Sequence, residues 1–313
     1  MTKQDFKQIS FAALAILLLL SFYGCIEGSP NINDNVVEDG WGRAHPDTYD
    51  SMQITSHVMN WLQSSQHEDG SWNASPADTA AVVLLCAANN VLPQQNSRWG
   101  AMVSKALQYL VSIQSPSGEY SWEENENCMV ICAMIEGFCL TGSPVAENSA
   151  RRAYVRMMTT TKNVNPWVVR CVLYARVFNE SQISQNHFVA DVVEKLRLNH
   201  DINSLLNLYL LDQITTVETI ELNKFLETVS FEKELNNGID WCYTITEVLF
   251  AKGGVQWENW QNEYFRILRR RLVNIETQDS NKLLAYFEPE RESEVLHGRT
   301  YFTARVAMLF ATN

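Results

Sequence analysis

This 313-residue chain is short of several things. Thirteen glycines and eight prolines are too few for a low-complexity or collagen-like polymer. Positive charge is scarce: 24 Lys and Arg stand against 36 Asp and Glu, a formal net charge of -12. A protein that tracks phosphates needs a basic stripe, so nucleic acid is excluded as a partner. The one dense basic cluster, Arg269-Arg270-Arg271 with Arg266 a turn earlier, reads as the solvated face of a helix. Apolar runs long enough to cross a bilayer as a helix, roughly 20 residues, are also missing. No segment alternates convincingly as a strand, and no glycine-rich loop suits a nucleotide. Gly-x-Ser-x-Gly and His-Glu-x-x-His motifs are absent.

What is present begins with a targeting signal. Lys3 and Lys7 precede an apolar run, Ile9 to Phe22, of about 14 residues. That length suits the central region of a secretory signal. Gly24-Cys25 follows at once, in the manner of a bacterial lipobox, although Phe22 and Tyr23 stand where Leu and a small residue are usual. Residues 1–24 are therefore expected to be a lipoprotein-type signal peptide and Cys25 the lipidated residue, with the mature chain on the membrane, facing the periplasm or exterior. Residues 25–49, rich in Asn, Asp and Gly, read as a polar tether. Cys86, Cys128, Cys132, Cys139, Cys171 and Cys242 remain, an even number that leaves disulfides open. Most sit inside apolar helical runs and read equally well as small core residues.

From residue 50 to 313 the pattern is helical almost throughout. Amphipathic segments (Thr55–Gln66, Ala101–Gln114, Ala146–Met158, Trp257–Ile275) alternate with segments apolar on most faces (Ala80–Asn90, Asn125–Leu140, Pro166–Phe178, Asp240–Ala251, Thr300–Ala311). Residues 276–298 read as a polar connection. Such alternation suits two concentric layers of antiparallel helices, the outer showing one face to water. The expected fold class is all-α, an (α/α) toroid.

A repeated phrase supports it. Gln66-His-Glu-Asp-Gly70-Ser-Trp72 returns as Gln114-Ser-Pro-Ser-Gly118-Glu-Tyr120, with a decayed copy starting at Leu272. This resembles the Gln-Trp repeat of squalene cyclases and protein prenyltransferase β-subunits, and Asp78–Leu85, Asn127–Gly142, Tyr243–Gly254 and Tyr301–Leu309 are similar to the inner helices of bacterial prenyltransferase/squalene-oxidase-repeat proteins. Gln66, Gly70, Trp72, Gln114, Gly118 and Tyr120 then have a structural role: a Gln amide can satisfy orphan backbone groups at neighbouring helix ends.

The resemblance also frames the activity. Cyclases of this kind use an Asp-x-Asp-Asp acid motif, which is absent; Asp47-Thr-Tyr-Asp50 is nearest and lies in the tether. Prenyltransferases hold zinc with Asp, Cys and His, and Asp240, Cys242 and His297 resemble that set, with Trp241 in place of Gly and His297 ahead of the last apolar helix. The alternative is a helix N-cap at Asp240 and a core residue at Cys242. No catalytic residue is assigned and no cofactor beyond that zinc. The expected function is a non-catalytic binding or scaffold protein for a lipid, isoprenoid or protein partner; the alternatives are a zinc-dependent prenyltransferase-like enzyme and a carbohydrate-active toroid.

Overall fold

The computed structural model describes residues 51–93, 98–178, 182–275, 284–290 and 292–311. The signal segment, Cys25 and the tether lie outside the described residues, as does the side chain of His297. Among the described residues no helix is long and apolar enough to cross a membrane.

Among the described residues the fold is all-α apart from one hairpin. Its helices are α1 (Ser51–Ser64), α2 (Pro76–Ala88), α3 (Arg98–Ile113), α4 (Glu124–Thr141), α5 (Pro144–Thr160), α6 (Pro166–Tyr174), α7 (Gln182–Asn199), α8 (Ile202–Leu210), α9 (Thr216–Leu226), the one-turn α10 (Phe231–Glu234), α11 (Ile239–Lys252), α12 (Gly254–Arg269) and α13 (Glu292–Phe310). The starts are written in the sequence. Ser75, Ser143 and Asn165 each accept a backbone N–H from the first turn of α2, α5 and α6, and in each a proline follows, where its missing N–H costs nothing. Thr215 and Glu218 form a reciprocal capping box on α9. Gly142 closes α4 at φ 63°, the left-handed geometry a C-terminal glycine supplies.

Packing separates the helices into two kinds. One series of contacts runs α2 to α4, α4 to α6, α6 to α8, α8 to α11, α11 to α13, and from α13 back to α2. These helices are buried on nearly every face: residues 78–86 of α2 and 127–135 of α4 are all buried, as are 300–310 of α13. The helices between them bury one stripe. In α5 that stripe is Ala146, Ser149, Ala150, Ala153, Tyr154 and Met157, and in α12 it is Trp260, Tyr264 and Leu268.

Two expectations are corrected. Leu272–Ile275 is a β-strand, not the end of a helix, and pairs antiparallel with Leu284–Phe287 in the register Leu272 to Phe287. The decayed third repeat starting at Leu272 therefore has no helix end to mark, and part of the supposed polar connection is strand. Tertiary packing outweighs the helical pattern here. Phe287 stacks on Phe310 at 5.6 Å between centroids. Its backbone N–H donates to Thr303 Oγ1 at 3.1 Å, and that hydroxyl donates to its carbonyl at 3.2 Å. Arg271 and Glu294, both buried, form an ion pair that ties the hairpin to α13. The last helix also begins earlier than its apolar stretch and is kinked at Gly298 (φ 79°).

Candidate functional site

The repeat phrases build two copies of one joint. Gln66 Nε2 donates to Gly70 O at 2.9 Å and to Met102 O at 2.9 Å. Gln114 Nε2 donates to Gly118 O at 2.9 Å and to Ser149 O at 2.8 Å. Each amide thus ties its own turn to a following helix, α3 or α5. Of the four accepting carbonyls, Met102 O and Ser149 O lie inside α3 and α5, past the first turn, while Gly70 O and Gly118 O lie in the turns themselves. The glycines sit against the same helices at φ 94° and 100°: a Cβ on Gly70 would lie 2.3 Å from Lys105 O, and one on Gly118 would lie 3.1 Å from Arg152 O. Trp72 is buried and donates its indole N–H to Leu62 O at 2.8 Å, while Tyr120 meets Ser149 Oγ at 2.6 Å. These residues fasten helices.

The chemistry-bearing side chains gather elsewhere, on α6, α11 and α13. Trp167 and Arg170 share a face of α6, at i and i+3; Asp240, Tyr243 and Glu247 share one of α11; Tyr301 and Arg305 lie one turn apart on α13. Both arginines are almost wholly buried, at 1% for Arg170 and 0% for Arg305. Arg305 Nε donates to Asp240 Oδ1 at 2.7 Å, and the Tyr301 hydroxyl donates to Asp240 Oδ2 at 2.5 Å. Arg170 Nη2 donates to Glu247 Oε2 at 2.5 Å and to Thr244 Oγ1 at 2.9 Å. Both guanidiniums lie over the same two rings: Arg170 is 4.9 Å from Trp167 and 5.2 Å from Tyr243, and Arg305 is 4.9 Å and 4.1 Å from them. Among the described residues Arg170 Nη1 and Arg305 Nη2 have no hydrogen-bond acceptor, which the ring faces partly offset. The carboxylates stand nearer water, with 30% of the Asp240 side chain and 25% of the Glu247 side chain exposed.

Electrostatics sets the carboxyls apart. Burial pushes the Asp240 carboxyl up, but Arg305, the Tyr301 hydrogen bond and Arg170 together outweigh it and hold the group below the usual carboxylate range. Glu136 on α4 has no partner among the described residues. Burial pushes its carboxyl up to about 7. It is close enough to raise Tyr174 and Tyr243 electrostatically, and burial is the larger cause for both tyrosines. At the start of α2, burial pushes Asp78 up to about 6, against a hydrogen bond from Asn73.

Of the residues read from the sequence as a metal set, Asp240 joins this cluster with both oxygens engaged. Cys242 is buried and follows two residues later, about 200° round α11 from Asp240. Among the described residues no group of three His, Cys, Asp or Glu side chains is placed to hold a metal ion. Arg170, Glu247, Arg305 and Glu136 were missed in the sequence. The available signal was a lone charge inside an otherwise apolar helical run, as in Val169-Arg170-Cys171 and Ala304-Arg305-Val306. Open grooves among the described residues include one of about 530 Å³ along α7, with Val189, Val193 and Arg197, and one of about 410 Å³ along α5, with Arg152 and Arg156.

No family model, curated protein or solved structure matches this chain.

Proposed function

We propose that residues 50–313 form an α/α toroid of the squalene cyclase and prenyltransferase type that acts as a non-catalytic binding module at a cell envelope, held there through Cys25. The cyclic order of contacts among α2, α4, α6, α8, α11 and α13, with one-sided helices between them, supports the architecture. The observation that carries the functional reading is the packing between α6, α11 and α13. Arg305 packs on the Trp167 and Tyr243 rings and, with Tyr301, bonds to Asp240, so polar and aromatic groups occupy that packing. A prenyl or triterpene chain needs a dry, open, apolar cavity, and the Asp-x-Asp-Asp acid is absent. The partner is therefore expected on the outside, where Trp122 projects with 96% of its surface exposed between carboxylates of the Glu119–Glu126 segment.

Native mass spectrometry of the full chain extracted from membranes in mild detergent tests this. The expected spectrum shows protein plus the Cys25 lipid and no second apolar ligand. A stoichiometric isoprenoid, or farnesyl diphosphate binding in the low micromolar range (about -8 kcal/mol), would overturn it.

One observation favours the carbohydrate-active reading. Glu136 is pushed up and Asp240 held down, the division of labour between an acid and a base in glycoside cleavage. Release of reducing ends from a polysaccharide panel, lost in both Glu136→Gln and Asp240→Asn, would establish that reading in place of the first.

A further inference from the structure

Cys132 on α4 and Cys171 on α6 are fully buried, on helices that pack directly together. Their sulfurs lie 3.5 Å apart. The Cys171 thiol also donates to Cys128 O at 3.1 Å, so its side chain is already turned toward α4. A disulfide requires the sulfurs to close to about 2.05 Å, an approach that small side-chain rotations on two neighbouring helices can supply. Cys128 lies one turn before Cys132 and meets Cys171 through its carbonyl as well as electrostatically through its thiol. The direct sulfur–sulfur contact is with Cys132, which makes it the partner the geometry selects. We propose that Cys132 and Cys171 are a covalent modification site, joined as a disulfide when the chain folds in the presence of a disulfide donor, and that this bond clasps α4 to α6.

The step balances by two exchanges. One cysteine thiolate attacks the donor disulfide, a glutathione-type or protein disulfide, and forms a mixed disulfide while the first donor thiolate leaves. The second cysteine thiolate attacks the protein sulfur of that mixed disulfide, and the second donor thiolate leaves. The two cysteine protons end on the donor thiols. The protein loses two electrons and the donor gains them. Order matters. Once α4 and α6 have docked, neither sulfur is open to a donor, and burial pushes the Cys171 thiol well up, with hydrogen bonds to Cys128 and Cys132 adding to it. Buried, protonated thiols exchange slowly. Oxidation therefore belongs to folding, and the finished dithiol protein should resist it.

The clasp spans 39 residues of chain, from 132 to 171, and it holds the helix that carries Trp167, Arg170 and Tyr174. Cross-linking a loop of that size raises the melting temperature of a domain this large by roughly 5–10 °C.

The test makes the full chain by cell-free synthesis, once with oxidised glutathione and a disulfide isomerase and once with dithiothreitol. Each product is then unfolded, alkylated with N-ethylmaleimide and digested without reduction. The expected result is a cross-linked pair of peptides containing Cys132 and Cys171, lighter by two hydrogens and found only in the oxidised product, which melts higher. In Cys128→Ser the cross-link persists. In Cys132→Ser it is gone and the melting points of the two preparations agree. Complete alkylation of Cys132 and Cys171 in the oxidised product overturns the proposal. So does a cross-link that survives Cys132→Ser or disappears in Cys128→Ser. Glutathione disulfide added only after reduced folding should leave both thiols free; their rapid loss would show that burial does not gate the reaction.

Discussion

The Arg305 guanidinium lies 4.1 Å from the centre of the Tyr243 ring, and its Nε is held by Asp240 at 2.7 Å. Arg305 is wholly buried, so its charge depends on that carboxylate. Asp240→Ala should destabilise the protein by about 3 kcal/mol, because it leaves a desolvated cation without its counter-charge. Replacing both partners in Asp240→Leu/Arg305→Met should recover much of the loss, since an apolar pair carries no desolvation cost. Urea unfolding of Asp240→Leu, Arg305→Met and the double variant closes the cycle. Additive losses would mean that the pair is not coupled.

Glu136 gives a pH signature of defined sign. Its carboxyl is raised in the folded state, from an ordinary 4.5 to about 7. The neutral form is thus the one folding favours. The contribution is complete below pH 4.5 and is lost as pH rises through 7. Glu136→Gln should therefore melt like wild type at pH 4.5 and above it at pH 8. The gain at high pH should be about 1–3 kcal/mol after allowance for partial exposure. Asp78 acts in the same direction over 3.8 to about 6. Calorimetry at the two pH values checks this, and an equal shift at both would remove the titration argument.

The helices were legible because helical periodicity is local: Thr55–Gln66 predicts most of α1, and Pro166–Phe178 begins where α6 begins, though α6 itself ends at Tyr174. The hairpin was not, because Leu272-Val273-Asn274-Ile275 continues the amphipathic pattern of α12 and only its pairing with Leu284–Phe287 makes it a strand. The arginine cluster was hidden for a similar reason. Arg170 meets Glu247 across 77 positions and Arg305 meets Asp240 across 65, and no local spacing announces either pair. Asp240 was noticed, but through a neighbour, Cys242, that lies on another side of its helix.

Glycine at the repeat turns is required by space and not only by backbone angle. Gly70→Ala would place a Cβ 2.3 Å from Lys105 O at φ 94°, whereas Gly142→Ala meets open space at φ 63°. The left-handed angle alone costs about 1–2 kcal/mol, and that should be the whole loss at Gly142. Gly70→Ala should lose at least about 2 kcal/mol more, because a backbone carbonyl has to move. Thermal unfolding of both variants measures the difference. Equal losses would show that α3 yields freely at this joint.

The two glutamines should answer differently to one isosteric change. Gln66 Nε2 faces two carbonyl oxygens and its own oxygen accepts no hydrogen bond among the described residues, so Gln66→Glu puts a carboxylate against Gly70 O and Met102 O. Gln114 faces the same pair, Gly118 O and Ser149 O, but its Oε1 accepts from Ser149 Oγ at 2.9 Å and from Arg152. In Gln114→Glu the Arg152 charge would offset part of the repulsion. Gln66→Ala and Gln114→Ala, which only remove hydrogen bonds, should each cost about 1–2 kcal/mol. Gln66→Glu should exceed that loss at pH 7 and relax toward it at pH 4, where a protonated carboxyl regains one donor. Gln114→Glu should stay at or below its alanine counterpart, and adding Arg152→Ala should raise it to the Gln66→Glu level. Urea unfolding of this set at both pH values separates a joint held by amide donors from one held by shape alone, for which Glu and Gln would behave alike.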